Sequence, residues 1–163
     1  MLITIEQASK IAADFKKKKK KIVTTNGCFD IVHIGHVRYL TQAKKLGDVL
    51  IVGVNGNKSS YFKTKPGRPI INEKERAELV ASLKPVDYVF IFDDETPNAW
   101  IEKIKPDFHI KAADKTYGIR QCVERFAVRK NGGKVVLLPK EAGKSTTYII
   151  EKIVKVYGVN KNE

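Results

Sequence analysis

The stretch TTNGCFDIVHIGH, residues 24–36, brings two glycines and two histidines into one short segment after an apolar run. That run, IVTTN at 22–26, has the β-branched composition of a buried strand, and residues 36–46 have the apolar spacing of a helix. We therefore predict that the segment connects the first strand of an α/β sheet to the following helix. Open α/β sheets bind ligands at this edge, beyond the carboxyl ends of their strands.

The alternation of strand and helix continues along the chain. Continuous apolar runs, typical of parallel strands buried on both faces, occur at 22–26, 49–54, 88–92, 108–112 and 134–138. Helical patterns lie at 4–18, 36–46, 72–83, after Pro97, at 119–127 and after Ser145. These patterns predict an α/β fold with a doubly wound, Rossmann-like parallel sheet of about five strands. We expect a single domain over 1–163, with an N-terminal helix and lysine-rich segment at 1–21 and the core at 22–157.

The helical patterns also predict which side chains face the interior. Those in the last three helices are Trp100, Ile101, Ile104, Ile119, Val123, Phe126, Ala127, Ile149, Ile150 and Ile153. In the helix at 72–83, Asn72 followed by Glu75 predicts a capping box.

The chain is strongly basic. Among 163 residues, 31 Lys and Arg outnumber 18 Asp and Glu, which gives a net charge of +13. Such a surface attracts polyanions, so nucleic acid, anionic membrane and nucleotide phosphates all stay open as ligands. The lysine run at 16–21 is typical of a patch for nucleic acid or lipid, or of the solvated end of a helix. The second reading is favoured, because no aromatic residue interleaves the lysines to stack on bases.

Cysteine use and hydropathy indicate the compartment. Cys28 and Cys122 are the two cysteines, and they form no CxxC motif, so no disulfide framework is expected. The N-terminal MLITIEQASK lacks the cationic start and apolar block of a secretion signal. Apolar runs such as VLIVGV at 49–54 are far shorter than the ~20 residues of a membrane-spanning helix. We expect a cytoplasmic protein without membrane contact.

The turn after the first strand has the features of an anion site. Gly27 has no Cβ, so its backbone can approach a phosphate, and a helix beginning near His36 offers unpaired N–H groups. His33 and His36, three residues apart around Gly35, can face one ligand. The sequence leaves two alternatives to an anion site open. One is a metal site with Cys28, for which no fourth His or Cys lies nearby, and the other is structural capping or packing by each histidine.

The motifs HIGH at 33–36 and STT at 145–147 resemble the two signatures of the HxGH nucleotidyltransferase superfamily, the second of which reads ISTT or STT. Longer matches resemble the family of adenylyltransferases that make ADP-heptose from D-glycero-β-D-manno-heptose 1-phosphate. These matches are TNGCFDIVHIGHVRYLTQAKKLGD (25–48), GRPIINEKERA (67–77), ETPNAWIEKIKPD (95–107), NGGKVVLLP (131–139) and STTYIIEKI (145–153). Many members are fused to a sugar kinase, and we expect the stand-alone form here because the chain is too short for both.

The resemblance implies a reaction and a set of residues. An oxygen of the sugar phosphate attacks the α-phosphorus of ATP and pyrophosphate leaves, usually with Mg²⁺ bound through the phosphates. Catalytic roles are implied for His33, His36 and Lys44. Nucleotide or phosphate binding is implied for Asn26, Gly27, Cys28, Phe29, Gly35, Arg76, Lys111, Asp114, Ser145, Thr146 and Thr147. Asp30 and Arg68 are candidates for substrate binding, and Asp30 alternatively braces the turn.

The implied partners are ATP and a phosphorylated sugar, in a homodimer, and nucleic acid is not expected. The chain departs from the family at KAAD, 111–114, where KGGD is common, so the base and the sugar stay open. Asn57 stands where Asp is common, and His109 takes a strand position that is usually aliphatic. The alternatives are a cytidylyltransferase for a small phosphorylated alcohol, an FMN adenylyltransferase and, from another class, a basic nucleic-acid-binding protein. A class I aminoacyl-tRNA synthetase also has a HIGH motif but would need a KMSKS loop and a longer chain.

Overall fold

A computed structural model describes residues 1–59, 62, 66–113, 118–141 and 143–158 of the chain. Five parallel strands form one sheet in the order β3-β2-β1-β4-β5. The strands are β1 (Ile22–Gly27), β2 (Val49–Asn55), β3 (Tyr88–Phe92), β4 (Phe108–Ala113) and β5 (Lys134–Pro139). The predicted doubly wound α/β fold is confirmed.

Helices cover both faces of this sheet. Within the described ranges they are α1 (Ile5–Lys17), α2 (Ile34–Lys44), α3 (Glu73–Ala81), α4 (Asn98–Ile104), α5 (Arg125–Lys130) and α6 (Thr146–Tyr157). Helices α1, α4 and α5 share one apolar core with the sheet, while α2 and α3 share the other. In β1, for example, Ile22 belongs to the first core and Val23 to the second. Burial on both faces explains why the strands read as continuous apolar runs.

The strand order creates a crevice beside β1. Helix α2 leads from β1 to β2 on one side, and after β3 the chain crosses to β4 on the other side of β1. The chain connections at the carboxyl ends of β1 and β4 therefore run in opposite directions. Doubly wound sheets bind ligands in the crevice that forms at such a point. No helix among the described residues is long and apolar enough to cross a membrane.

The predicted interior of the segment at 119–127 is wrong in part. Val123 and Phe126 are 54% and 68% exposed, whereas Glu124 is 2% exposed. The helix begins only at Arg125, so residues 119–124 do not follow the predicted helical periodicity. In addition, the carboxylate of Glu124 turns inward to the ammonium of Lys111, 2.7 Å away, and occupies an interior position.

Helix α6 also differs from the prediction. Ile149 and Ile150 are partly buried, as expected, but Ile153 is half exposed. By contrast, Trp100 and Ile101 in α4 are buried as predicted. The periodicity of α6 is that of an amphipathic helix, yet the rest of the described chain covers little of its apolar face.

Aspartates and lysines tie the strands together at the amino edge of the sheet. Asp48, Asp87 and Asp107 each stand directly before a strand and accept hydrogen bonds of 2.7–2.9 Å from amides at the start of a neighbouring strand. Two lysines of the run at 16–21 form ion pairs with Asp48 and Asp107. Part of the basic run thus has carboxylate partners within the fold.

We expect Asp107→Ala to lower the free energy of unfolding by roughly 1–3 kcal/mol, because the Ile22 amide and the Lys21 ammonium both lose their acceptor. The control is Asp14→Ala, which removes only an exposed ion pair with Lys17 and should cost less than about 1 kcal/mol. Urea unfolding of both variants measures the difference. Equal, small losses would contradict a structural role for Asp107.

Candidate active site

A cleft of about 740 Å³ lies at the carboxyl edge of the sheet, between the β1–α2 turn, the end of β4 and the start of α6. Most of the predicted site residues line it. They are Asn26, Gly27, Cys28, Phe29, Asp30, His33, Gly35, His36, Arg68, Lys111, Ser145, Thr146 and Thr147. Lys44 and Arg76 lie elsewhere, and Asp114 is outside the described residues.

His33 and His36 cap helix α2 reciprocally. The helix begins at Ile34, two residues before its predicted start, so His33 is the N-cap and His36 lies in the first turn. Nδ1 of His33 accepts a hydrogen bond from the Gly35 amide (3.1 Å), and Nδ1 of His36 accepts one from the His33 amide (3.3 Å). Since Nδ1 is the acceptor in both rings, the proton of each neutral imidazole is assigned to Nε2. Each ring can therefore both cap the helix and offer a donor to the cleft.

Gly35 allows the two rings to pack this closely. Their centroids are 3.9 Å apart, with the planes inclined by 31°. A Cβ at position 35 would lie 2.9 Å from Cε1 of His33 and 3.1 Å from Cβ of Lys144. A larger residue would have to displace the imidazole or the segment before α6. Close packing thus explains why the HIGH motif has a glycine between its histidines.

Both imidazoles are neutral near pH 7. Burial, followed by the neighbouring His33 ring, lowers the pKa of His36 to about 4. Burial also lowers the pKa of His33, where Glu141 acts to raise it and Lys144 to lower it. Neutral rings do not act as cations, so their contribution toward a phosphate is a directed N–H donor.

Asp30 anchors the turn between β1 and α2. Its buried carboxylate accepts hydrogen bonds from Arg68 (2.6 Å) and from the amides of Ile70 and Ile71 (3.0 Å each). Its backbone carbonyl accepts one from the hydroxyl of Thr146 (3.1 Å). Burial raises the pKa of Asp30, but Arg68 and the two amides outweigh this effect and lower the pKa overall. These contacts favour the bracing role considered for Asp30.

Arg76 is fully buried and does not reach the cleft. Its Nε donates to the carbonyl of Ile71 (2.9 Å), and its terminal nitrogens donate to the carbonyl of Cys28 and to Oδ1 of Asn57 (2.9 Å). The expected direct phosphate contact does not fit this position. Arg76 instead holds the Cys28 carbonyl, and with it the backbone of the β1–α2 turn. Asn57, the departure from the usual Asp, serves as one of its acceptors.

Lys44 lies at the wrong end of its helix for the role implied by the resemblance. It is eight residues beyond His36, which is about 12 Å along a helix. At the amino edge of the sheet its Nζ donates to the carboxylate of Asp87 (2.5 Å) and the carbonyl of Asp48 (2.6 Å). Helix length therefore places Lys44 away from the cleft, and it is not part of the site proposed below.

Lys111 is held in the cleft wall by Glu124, a residue that the sequence did not single out. Its Nζ donates to Glu124 (2.7 Å) and to Oδ1 of Asn26 (3.2 Å). Glu124 also accepts a hydrogen bond from the thiol of Cys122 (3.0 Å). Burial raises the pKa of Glu124, but Lys111 lowers it to below its usual range. Burial and Glu124 raise the pKa of Cys122 to about 11, so this thiol stays protonated.

The first turn of α6 faces the cleft, as does the first turn of α2. Ser145 is the N-cap of α6 and accepts a hydrogen bond from the Tyr148 amide (3.0 Å). Thr146 and Thr147 follow it in the cleft lining. Two helix N-termini therefore present N–H groups to one cavity, an arrangement that suits a polyphosphate. In the part of the chain that the structure describes, no three His, Cys, Asp or Glu residues are grouped as metal ligands. The alternative metal site of Cys28, His33 and His36 is not supported.

Comparison with known proteins agrees with this geometry. The family model described as Cytidylyltransferase-like matches residues 24–152. The chain belongs to the cytidylyltransferase-like family, which confirms the membership of the nucleotidyltransferase superfamily that the two motifs predicted.

Relatives match nearly the whole chain. Bifunctional protein HldE of Geobacter metallireducens is 46% identical over 143 residues, which cover 88% of this chain and 29% of that protein. Bifunctional protein HldE of a Nitratiruptor species is 45% identical over 148 residues, covering 91% of this chain and 31% of that protein. The chain thus spans less than a third of the curated relatives it matches.

Solved structures show the same fold. The lipopolysaccharide core biosynthesis protein of Thermoplasma volcanium superposes with a TM-score of 0.62 at 29% identity, covering 75% of this chain and 97% of that one. Pantoate-beta-alanine ligase of Francisella tularensis has a TM-score of 0.59 at 16% identity and covers 100% of this chain and 80% of that one, which indicates a shared fold alone.

His109, on β4 two residues before Lys111, predicts how stability depends on pH. It is fully buried, with Nδ1 2.9 Å from Oγ1 of Thr24 and with Nε2 lacking a partner among the described residues. Burial, then Lys111, lowers its pKa from 6.5 to about 3. Between these values the unfolded chain binds more protons than the folded one. The stability from neutral His109 is therefore complete above pH 6.5 and is lost as pH falls toward 3.

We expect His109→Gln to lose less stability than the wild type between about pH 7.5 and about pH 5, because glutamine does not titrate. This pH window lies above the pH range in which carboxylates become protonated. Urea unfolding of both proteins at the two pH values gives the comparison. The same loss in both proteins would show that His109 is not the group responsible.

For the nucleotidyl transfer proposed below, we expect His36→Ala to lower kcat by about 10²–10³-fold, because one preorganised N–H donor to the phosphates of ATP is removed. ATP affinity should fall much less, since His33, the backbone amides and the helix dipole remain. Melting temperature, ATP binding and single-turnover rate are measured on one preparation. A purely structural cap predicts the opposite pattern: a lower melting temperature and a near-normal rate per folded molecule.

Proposed function

We propose that this protein is an adenylyltransferase that transfers AMP from ATP to D-glycero-β-D-manno-heptose 1-phosphate, giving ADP-heptose and pyrophosphate. The observation that carries the proposal is the pair of neutral imidazoles, His33 and His36, in a cleft bounded by the N-termini of α2 and α6. A cleft of about 740 Å³ is within the size range of small-molecule and cofactor sites.

The chemistry needs positioning and charge stabilisation. An oxygen of the acceptor phosphate attacks the α-phosphorus, the bond from that phosphorus to the bridging oxygen breaks, and its electron pair leaves with pyrophosphate. No protein nucleophile is required. The Nε2–H groups of His33 and His36 and the backbone N–H groups of residues 27–29 would meet negative charge on the phosphates as it grows.

The acceptor phosphate would be held on the other side of the turn. Arg68 lines the cleft, and its side chain is 19% exposed while one terminal nitrogen is bound to Asp30. A guanidinium has further N–H donors, so Arg68 can bind a phosphate while keeping this ion pair. Lys111 also lines the cleft, where Glu124 and Asn26 hold its ammonium in place.

The choice of ATP and heptose rests on the longest motif matches, which belong to the ADP-heptose branch. The similarity to bifunctional relatives and to a lipopolysaccharide core biosynthesis protein supports the same branch. One observation favours a cytidylyltransferase as the second candidate: Ala112, at the position of a usual glycine, lines the cleft. Its methyl group narrows the space there, and the one-ring base of CTP needs less space than the two-ring base of ATP.

Mg²⁺ would enter with ATP as part of the substrate. The two most buried carboxylates at the cleft are already engaged, Asp30 with Arg68 and Glu124 with Lys111. The described residues offer no cluster of three metal-ligating side chains, so they do not fit a magnesium ion held by the protein alone. The phosphates would supply its main oxygen ligands.

A homodimer would cover the exposed face of α6. Ile153, Val154 and Tyr157 lie on one side of this helix and are all at least half exposed. Their burial against a second copy would also fix the first turn of α6, which faces the cleft. ATP and sugar phosphates are cytoplasmic metabolites, so the cytoplasm is the proposed compartment.

The test is pyrophosphate release over a matrix of nucleoside triphosphates and phosphorylated acceptors. We expect ATP with the heptose 1-phosphate to have the highest kcat/KM. A higher value for CTP with glycerol 3-phosphate would replace the assignment by the cytidylyltransferase. Without pyrophosphate release from any pair, the proposed reaction would be wrong. Steeply salt-dependent binding to nonspecific DNA would then support the nucleic-acid alternative.

A further inference from the structure

Most cations identified around the cleft are neutralised by carboxylates. The ion pairs are Arg68 with Asp30, Lys111 with Glu124, and Arg38 with Glu141. Lys144 lines the same cleft and is exposed. Within the residues that the structure describes, its ammonium has neither a carboxylate within ion-pair distance nor a hydrogen-bond partner.

Lys144 lies beside the histidine pair. It stands directly before Ser145, the N-cap of α6, and its Cβ is 3.1 Å from the point where Gly35 would carry a Cβ. Burial lowers the pKa of His33, and the charge of Lys144 acts in the same direction, whereas Glu141 acts to raise it. The side chain of Lys144 is therefore attached where the first turns of α2 and α6 approach each other. Where the second superfamily motif has its longer form, ISTT, its first residue is apolar, and this chain has Lys144 at that position.

The reaction creates a need for a cation at this place. A triphosphate brings several negative charges into a cleft whose arginines and Lys111 are already paired. During transfer, the electron pair of the breaking bond moves to the bridging oxygen of pyrophosphate. Neutral imidazoles donate hydrogen bonds but carry no net charge to balance it. A lysine ammonium is a flexible cation with three donors, suited to following a departing phosphate group.

We propose that Lys144 binds the β- and γ-phosphates of ATP and stabilises the pyrophosphate leaving group. This inference rests on the proposed nucleotidyl transfer but is independent of which sugar accepts AMP. Lys144 acts only as a cation and takes no part in bond making or breaking. It would supply in the cleft the phosphate-binding charge that the resemblance implied for Lys44, which lies at the opposite edge of the sheet.

The test compares Lys144→Met, Lys144→Arg and a matched control, Lys134→Met. Lys134 is an exposed lysine at the start of β5, on the edge of the sheet away from the cleft. Two readouts are taken with Mg²⁺ present. One is calorimetric binding of pyrophosphate, and the other is single-turnover transfer of AMP from ATP to the best acceptor in the matrix above. Melting temperatures show whether each variant is folded.

We expect Lys144→Met to weaken pyrophosphate binding about tenfold, which corresponds to ~1.4 kcal/mol, and to slow transfer by at least as much. Lys144→Arg should keep most of the pyrophosphate affinity and most of the transfer rate. Lys134→Met should match the wild type in both within about twofold. Wild-type binding and rate in Lys144→Met would overturn the inference, as would equal losses in Lys134→Met.

The two proposals fail in different ways. Lysine-dependent pyrophosphate binding without any nucleotidyl transfer by the wild type would leave Lys144 as a phosphate ligand and refute the proposed reaction. Normal transfer that is insensitive to Lys144→Met would refute the inference and leave the reaction standing. If the wild type neither binds pyrophosphate nor transfers AMP, both proposals are wrong.

Discussion

Asp30 is the point at which three separate parts of the chain meet around the cleft. Its carboxylate binds Arg68 and two amides of the segment that leads into α3, and its carbonyl binds Thr146 at the start of α6. Because one buried residue holds all these contacts, the positions of the β1–α2 turn and of the second helix N-terminus depend on each other.

The distribution of charge follows from the cost of burying an unpaired ion. Arg76 and Glu124 are almost inaccessible to solvent, and both have partners that satisfy them: carbonyl and amide oxygens for Arg76, Lys111 and a thiol for Glu124. At the opposite edge, aspartates bind strand amides and lysines together. A net charge of +13 therefore overstates how much positive surface is available to a polyanion.

The histidine pair shows how one motif can serve the fold and the ligand together. Nδ1 of each ring satisfies a backbone amide that the start of a helix would otherwise leave unpaired. The same hydrogen bonds fix which nitrogen carries the proton, so the donors are set before any phosphate arrives. The sequence left capping and ligand binding as alternatives for these residues. The two are compatible, because capping uses Nδ1 and leaves Nε2–H for a ligand.

From local patterns alone, the sequence predicted the α/β fold and an anion site at the turn after β1, because continuous apolar runs define strands buried on both faces. The rest of the cleft lining was implied by the resemblance that the HIGH and STT motifs carry, and each of these motifs is a short continuous segment of the chain. Tertiary structure decided what depends on distant partners. It buried Arg76 beneath the Cys28 carbonyl, placed Lys44 at the far end of α2, turned Glu124 inward to Lys111 and left the apolar face of α6 exposed. Periodicity could not predict these outcomes, because the partner of a charged side chain lies far away in the sequence. The strength of that pair decides which side chain occupies the interior.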